Sequence, residues 1–316
     1  MRYRRLGNSG IDVSVIGHGT WQMGGDMFGA IDETQAIKAI HASLDSGVNL
    51  IDTAAAYGHD GESETIVGRA VEGRRDKVII ATKVGVLRIH GQYIRCLNPA
   101  IMRIELENSL KRLKTDYIDL YQIHWPDKNS STEDALKIML EMKKEGKIRA
   151  IGVSNFSVEE IKTGVEIADI ASVQPPLNML NRVSIGNGIV PYCARNNIGV
   201  LSYGSLGGGI LAGKADVLPA DGKEQRAGFY PYYKEPMLSK CRKLLEFLGK
   251  IADGRGVSVA EVSINWVLAQ PGVTTSLIGG GSPEKAARNA KAADWELTED
   301  EIMSIESEYK RIMDSD

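Results

Sequence analysis

Cysteine is scarce in this chain, and its placement excludes two kinds of stabilising site. Cys96, Cys193 and Cys241 are far apart and odd in number, and no Cys-x-x-Cys pair occurs. Neither a disulfide framework nor a cysteine zinc site is therefore predicted. We expect three reduced thiols, which are typical of a reducing compartment.

Long runs of one residue type are also missing. The formal net charge is −3 and no long run of lysine or arginine occurs, so a nucleic-acid partner is not expected. The sequence contains no run of about 18 apolar residues, which is the length needed to span a membrane. The basic start Met1–Arg5 is not followed by the apolar segment of a signal peptide. These absences predict a cytoplasmic protein with neither a membrane nor a nucleic-acid partner.

A Gly-x-Gly-x-x-Gly sequence, typical of doubly wound dinucleotide-binding sheets, is absent between the first strand and the first helix. After a predicted hairpin over residues 3–15, short apolar strands instead alternate with helices, and the first of these strands is predicted over Val13–Gly17. Eight such units in series, with no break in composition, predict a single (β/α)8 TIM barrel domain over residues 1–316 with extra C-terminal helices. We expect residues 85–97 to be irregular and residues 204–237 to form one long excursion, and we expect these two segments to set the selectivity of the substrate pocket.

Three consecutive predicted strands end in polar residues. Leu50 and Ile51 run into Asp52, which is followed five positions later by Tyr57. The next two strands end at Lys83 and His124 in the same way. The carboxyl ends of barrel strands form the face on which active sites are built, so we expect these four side chains to meet there.

These residue types suggest proton transfer to a carbonyl group. A tyrosine hydroxyl has an ordinary pKa of about 10, and a nearby ammonium favours the phenolate, so Lys83 is expected to lower the pKa of Tyr57. Asp52 would keep Lys83 charged and in place, and His124 would orient the carbonyl by a hydrogen bond. No amino acid donates a hydride, so carbonyl reduction at this site requires a cofactor.

With these motifs the chain resembles the aldo-keto reductase family, of the bacterial NADP(H)-linked type, over essentially its whole length. The family's catalytic Asp, Tyr, Lys and His match Asp52, Tyr57, Lys83 and His124. The resemblance implies an oxidoreductase that reduces aldehydes or ketones to alcohols, and carries out the reverse oxidation, with hydride from nicotinamide C4 and Tyr57 as general acid and base.

The resemblance also implies the residues that bind the cofactor. The family's Gly-x-Ser-Asn, Gln and Tyr match Gly152–Asn155, Gln174 and Tyr203, of which Ser154, Asn155 and Gln174 would hold the carboxamide and Tyr203 would stack on the nicotinamide. The glycine-rich stretch 206–213 would pass close to the pyrophosphate, where missing Cβ atoms allow the backbone to approach. The full predicted set is Thr20, Trp21, Ser154, Asn155, Gln174, Tyr203, Gly204, Ser205, Leu206, Gly208, Leu211, Gly213, Gly279, Ser282, Lys285, Arg288 and Asn289.

One departure from the family concerns the adenosine 2′-phosphate. In many members a Lys-Ser pair and a following Arg bind this phosphate, but this chain has Gly279, Gly280 and Lys285 at those positions. A helix that begins at Ser282, with Lys285 and Arg288 nearby, offers a substitute. This pattern favours NADP(H) and leaves NAD(H) open.

The substrate is a small carbonyl compound or alcohol that the sequence does not identify. Trp21, Trp125, Phe229 and Tyr230 are the predicted walls of its pocket. Three other functions stay open: a nucleotide-sensing binding subunit with the same fold, an NAD-linked sugar (aldose) dehydrogenase, and an aldolase that uses Lys83 as a Schiff base. The aldolase reading leaves Tyr57 and the cofactor residues unexplained.

Overall fold

The computed structural model describes residues 1–25, 32–213, 228 and 230–314. Within these residues the chain forms twelve strands: β1 Tyr3–Arg5, β2 Asp12–Ser14, β3 Ile16–Gly19, β4 Leu50–Asp52, β5 Ile79–Val84, β6 Val86–Ile89, β7 Gln92–Arg95, β8 Ile118–Ile123, β9 Ile148–Ser154, β10 Ile170–Gln174, β11 Gly199–Ser202 and β12 Val273–Gly279. Eight of them close a parallel barrel in the order β3, β4, β5, β8, β9, β10, β11, β12. The predicted (β/α)8 TIM barrel is confirmed.

Helices connect the barrel strands and extend the C-terminus. In the described residues they are α1 Glu33–Asp45, α2 Glu62–Ala70, α3 Pro99–Leu113, α4 Thr132–Lys144, α5 Val158–Val165, α6 Val183–Gly186, α7 Ile189–Arg195, α8 Met237–Arg255, α9 Val259–Leu268, α10 Pro283–Ala290 and α11 Glu299–Met313. No helix in this part of the chain is both long and apolar enough to cross a membrane.

Several helices begin where side-chain oxygens satisfy free backbone N–H groups. Asp32 accepts from the N–H groups of Thr34 and Gln35 at the start of α1. Ser157, Ser258 and Thr298 each form a capping box with a glutamate three residues later. Each such cap contributes about 1 kcal/mol and fixes where its helix begins. The local sequence therefore also positions the end of the strand that precedes each helix.

The barrel interior is apolar at its amino-terminal end. Leucines and alanines from seven barrel strands form one buried cluster, and Leu6 and Val13 of the hairpin close it from below. Gly7, between the hairpin strands, has a φ of +50°, and a Cβ there would lie 2.8 Å from the Asn197 carbonyl oxygen. The hairpin thus seals this end, which leaves polar side chains to the opposite end.

Two local expectations are corrected by the structure. Residues 85–97 are not irregular, because β6 and β7 pair as an antiparallel hairpin. His90 and Gly91 both have positive φ, which matches the right-handed twist of a two-residue hairpin turn. The first barrel strand begins at Ile16 rather than Val13, because Val13 and Ser14 pair with the N-terminal strand β1.

The packing of α2 against α3 yields a stability prediction. A Cβ at Gly68, inside α2, would lie 2.9 Å from the Leu113 carbonyl carbon, whereas a Cβ at Gly249, inside α8, would meet nothing within 4 Å. Alanine in an open helix stabilises by about 0.5–1 kcal/mol, while overpacking destabilises by about 1–3 kcal/mol. Thermal unfolding should therefore show a lower midpoint for Gly68→Ala and a slightly higher one for Gly249→Ala. A Gly68→Ala midpoint at or above that of the unchanged chain would contradict this packing.

Candidate active site

The carboxyl-terminal ends of neighbouring strands bring the four predicted catalytic residues together. Asp52 is the last residue of β4, Lys83 lies in β5, and His124 directly follows β8. These strands are adjacent and parallel, with Asp52 opposite Ala81 and Val84 opposite Ile123. Tyr57 lies in the turn after β4, and its ring meets the His124 ring edge-on, with 5.8 Å between centroids.

Lys83 is the centre of this group. Its ammonium donates to Asp52 Oδ1 at 2.6 Å, to the Thr53 carbonyl at 2.8 Å and to the Tyr57 hydroxyl at 3.2 Å. An ammonium has three protons, so these contacts use its full hydrogen-bonding capacity. Since Lys83 is only 1% exposed, its position and direction are fixed by these partners.

The second oxygen of Asp52 is held by two buried amides. The Nε2 atom of Gln174 donates to Asp52 Oδ2 at 2.8 Å, and that of Gln122 does so at 3.3 Å. A buried carboxylate is stable only when its oxygens are paired. The structure therefore gives Gln174 a role in supporting Asp52, and the predicted contact with a nicotinamide carboxamide stays a prediction.

Burial sets the protonation of the two groups nearest the cleft. Burial raises the pKa of Tyr57 above 10.0. The charge of Lys83 lowers this pKa by a smaller amount, and the charge of Asp52 raises it further. Burial, together with the charge of Lys83, also holds the pKa of His124 well below 6.5. At neutral pH, Tyr57 is therefore a neutral phenol and His124 a neutral imidazole.

This result corrects the expected direction of the Tyr57 shift. The expectation that Lys83 brings the pKa of Tyr57 below its ordinary value is wrong for this structure. The loss of hydration raises the pKa of Tyr57 by more than the Lys83 cation lowers it, because Asp52 offsets part of the effect of that cation. Burial alone would lower the pKa of Lys83, but Asp52 and Tyr57 raise it above 10.5, so the cation is retained.

A hydrogen-bonded group joins the ends of four successive strands. Asn155 Nδ2 donates to the His124 carbonyl and to Ser154 Oγ, both at 3.0 Å. The Tyr203 hydroxyl donates to Asn155 Oδ1 at 2.9 Å, and Ser154 Oγ donates to the Gln174 carbonyl at 2.8 Å. Asn155 has a φ of +62°, which asparagine tolerates better than most residues. These residues form one connected wall beside the group around Lys83.

A cleft of about 1,490 Å³ opens above the strand ends. Most of the predicted binding residues line it: Thr20, Trp21, Trp125, Ser154, Asn155, Gln174, Tyr203, Gly204, Ser205, Leu206, Gly208, Tyr230, Gly279, Lys285, Arg288 and Asn289. Its size exceeds the roughly 300–1,000 Å³ typical of a small-ligand pocket. The cleft is therefore large enough for a dinucleotide together with a small substrate.

Four of the predicted residues are not placed in this lining. Leu211 is buried in the core, and Gly213 ends a short 3₁₀ turn. Ser282 caps α10 and accepts from the Lys285 N–H at 3.4 Å. Phe229 lies outside the described residues.

The glycines after β11 have a structural reason of their own. Gly207, Gly208 and Gly209 all have positive φ, between 56° and 104°. A Cβ at Gly208 would lie 2.5 Å from the Tyr230 ring. Glycine is therefore required here by the backbone turn and by the packing of Tyr230.

Gln22 is a residue of the cleft that sequence reasoning missed. In the orientation that satisfies its hydrogen bonds, its side-chain oxygen accepts from the N–H of Gly281 at 2.7 Å and from that of Gly280 at 3.0 Å. Gln22 follows β3, while the two glycines follow β12, so this contact joins the two strands that close the barrel. A glutamine just after the predicted strand end was a weak signal, but its partners lie about 260 residues away in sequence and were not readable from it.

Other residues that were not named individually from the sequence come from β8 and from the β6–β7 hairpin, which lies in the segment expected to shape the pocket. Gln122 interrupts an apolar strand two positions before His124, and that interruption was the readable signal. Val86, Tyr93 and Arg95 line the cleft because the hairpin folds over it. In the described part of the chain, no group of three His, Cys, Asp or Glu side chains is placed to hold a metal ion.

Comparisons with known proteins agree with this geometry. A model of the Aldo/keto reductase family matches residues 15–310. The aldo-keto reductase YhdN of Bacillus subtilis is 41% identical over 96% of this chain and 92% of its own length. The NADH-specific methylglyoxal reductase of Escherichia coli is 31% identical over 93% of this chain and 94% of its own.

Solved structures show the same likeness in three dimensions. The glycerol dehydrogenase AKR11B4 from Gluconobacter oxydans superposes with a TM-score of 0.90 and 36% identity, covering 99% of this chain and 96% of that one. An aldo/keto reductase from Klebsiella pneumoniae, in complex with NADP and acetate, superposes with a TM-score of 0.78 and 29% identity, covering 98% of this chain and 96% of that one. The match over nearly the whole sequence, the closed barrel and the group around Lys83 lead to one conclusion: this chain belongs to the aldo/keto reductase family of oxidoreductases.

Proposed function

We propose that this protein reduces aldehydes or ketones to alcohols at the expense of a nicotinamide dinucleotide, and carries out the reverse oxidation. Tyr57 is the general acid in reduction and the general base in oxidation. Hydride, which is two electrons with one hydrogen, would come from nicotinamide C4 of a bound dinucleotide, and Tyr57 would give the proton to the carbonyl oxygen. The products are an alcohol and the oxidised dinucleotide, so atoms and electrons balance.

The observation that carries this proposal is the Lys83 ammonium between Asp52 and Tyr57. Its contacts of 2.6 Å and 3.2 Å place a fixed positive charge directly beside the phenol oxygen. As the proton leaves Tyr57, negative charge grows on that oxygen, and a preorganised cation stabilises it without reorganising. Lys83 thus assists the proton transfer even though the resting phenol is neutral.

His124 and Asp52 have supporting parts in the proposal. A neutral imidazole beside the phenol offers one N–H donor and one acceptor nitrogen, which suits a group that orients a carbonyl oxygen. Asp52 balances the charge of Lys83 in a buried setting and so keeps the lysine protonated. Trp21, with its ring centroid 6.5 Å from that of Tyr57, Trp125 and Tyr230 are proposed as the apolar walls for the substrate.

The residues present fit a nicotinamide dinucleotide. Asn155, Ser154 and Tyr203 offer polar atoms beside the catalytic group. Lys285 and Arg288 of α10, the helix that follows β12, provide two cations in the same cleft. The lining therefore offers polar partners for an amide-bearing ring and positive charge for a phosphate, which are the two kinds of group that a dinucleotide carries.

Within this class we propose NADP(H) as the favoured cofactor. Gln22 occupies the N–H groups of Gly280 and Gly281, so a 2′-phosphate near α10 would be recognised by Lys285 and Arg288 rather than by that backbone. Among the relatives, one is named NADH-specific and another contains NADP. The two cations of α10 are the feature of this chain that favours the phosphate-bearing form.

We further propose that the protein is cytoplasmic and acts on small molecules rather than on nucleic acids. Its three cysteines are all free thiols, which suits a reducing compartment.

Replacing Tyr57 by phenylalanine tests the proposed reaction. This change removes the proton donor and leaves the ring, so kcat for simple aldehydes should fall by about 10²–10⁴-fold. Binding of NADPH, followed by quenching of protein fluorescence, should remain close to that of the unchanged enzyme. Tyr93→Phe is the matched control, since it removes a hydroxyl from another aromatic ring of the same cleft and should change kcat only slightly. Unchanged turnover in Tyr57→Phe would refute the assigned role.

The cofactor proposal predicts a change in the ratio of dissociation constants. In Lys285→Ala/Arg288→Ala, NADPH should bind roughly ten- to a hundredfold more weakly, because a charged hydrogen bond contributes about 1.5–3 kcal/mol. NADH binding should change little, and the NADPH preference should shrink with added salt. Lys291→Ala, at an exposed cation beyond α10, is the control. An unchanged ratio in the double variant, or a wild type that prefers NADH, would contradict the proposal.

A further inference from the structure

The charges that line the cleft are unevenly distributed. Among the described residues five charged side chains reach it: Asp32, Asp52, Arg95, Lys285 and Arg288. Asp52 is paired with Lys83, and Asp32 accepts from the first N–H groups of α1. Lys285 and Arg288 lie on α10 and are assigned to the cofactor. Pairing, helix capping and cofactor binding thus account for the other four charges. The positive charge of Arg95, on the substrate side, has no such explanation.

Arg95 is placed by the hairpin of β6 and β7. Side chains alternate between the two faces of a hairpin, and Val86, Tyr93 and Arg95 share the face toward the cleft. The guanidinium carbon lies 4.6 Å from the centre of the Trp125 ring, and Trp125 directly follows His124. The cation is therefore held on the wall next to the catalytic imidazole.

The guanidinium keeps donor capacity for a ligand. It makes one long hydrogen bond, 3.4 Å, to the Pro126 carbonyl. In the part of the chain that the structure describes, no carboxylate lies within ion-pair distance of it. The charge of nearby Asp127 interacts with that of Arg95 without a direct ion pair, and its oxygens accept from the Ser130 hydroxyl and the Asn129 N–H. Contact with the Trp125 ring restricts the motion of the arginine, so less freedom is lost when it binds an anion.

We propose that Arg95 is a specificity-determining residue that selects carbonyl substrates bearing a carboxylate. The carbonyl would meet Tyr57 and the carboxylate would meet the guanidinium, with the wall formed by His124 and Trp125 between them. A single guanidinium matches a monoanion and offers paired N–H donors to its two oxygens. A phosphate dianion would call for more positive charge than this side of the lining provides. This inference rests on the proposed reduction of carbonyl compounds and names their class.

The test compares 4-oxobutanoate with its methyl ester, which share the four-carbon chain and the aldehyde; the ester lacks the negative charge and carries an added O-methyl group. Wild type should favour the acid by about tenfold in kcat/KM, the lower end expected for a charged hydrogen bond because Arg95 is solvent-exposed. In Arg95→Gln the preference should fall to near one, mainly through a higher KM for the acid. Arg95→Lys should keep a reduced preference, because it keeps the charge and loses the planar pair of donors.

Two controls separate a local contact from a general effect of charge. Arg103→Gln removes one positive charge from α3, where Arg103 pairs with Glu141 and Glu145, and should leave the preference unchanged. Raising the salt concentration should reduce the preference of wild type and have no such effect in Arg95→Gln. Equal kcat/KM values for acid and ester in wild type, or an undiminished preference in Arg95→Gln, would overturn the inference while leaving the proposed reduction intact.

A binding measurement makes the result independent of turnover. Calorimetry on the cofactor-loaded protein should show 4-hydroxybutanoate binding about tenfold more tightly than butane-1,4-diol, with the difference lost in Arg95→Gln. Failure of every aldehyde to turn over would refute the proposed function, whereas equal dissociation constants for these two compounds would refute the role of Arg95.

Discussion

The buried ion pair of Lys83 and Asp52 is the interaction on which the rest of this site depends. Both side chains are almost fully buried, and removing one partner of such a pair typically costs about 3–5 kcal/mol because the other charge is left unpaired. The barrel meets this demand by closing β4 against β5 and by directing Gln122 and Gln174 onto the second oxygen of Asp52. The apolar lower barrel, sealed by Leu6 and Val13, confines the charges to the opposite end.

This arrangement determines the chemistry available at the strand ends. Burial keeps both Tyr57 and His124 neutral, while Lys83 retains its charge because Asp52 is beside it. A neutral phenol next to a fixed cation can release its proton to a carbonyl oxygen. The phenolate can then take up a proton again while the charges of Lys83 and Asp52 stay the same. In the proposed function, the cation stabilises the negative charge that develops on the Tyr57 oxygen as the proton leaves, and the neutral resting phenol gains less from it, so the reaction is accelerated.

Much of the fold and the central residues could be predicted from sequence, because those signals are local. Apolar runs that stop at Asp52, Lys83 and His124 indicated both the barrel strands and the place where these side chains meet, and Ser282 marked a helix start correctly. What was missed depends on contacts between distant segments or on burial. The pairing of Gln22 with Gly281 and the sign of the Tyr57 pKa shift belong to these classes. The hairpin that carries Arg95 was locally encoded by His90-Gly91, but this turn was not recognised.

Titration of Tyr57 itself tests the central claim most directly. Carbon-13 labelling of tyrosine, with Tyr57→Phe to assign the signal, reports the protonation of this phenol as pH is raised. We expect the midpoint of the Tyr57 titration to lie above pH 10, because burial outweighs Lys83. In Asp52→Asn/Lys83→Met, which removes the pair together, the midpoint should move higher still, because the cation's lowering of the pKa exceeds the rise caused by Asp52. A Tyr57 midpoint near pH 7 in the unchanged protein, or no rise in the double variant, would contradict the account.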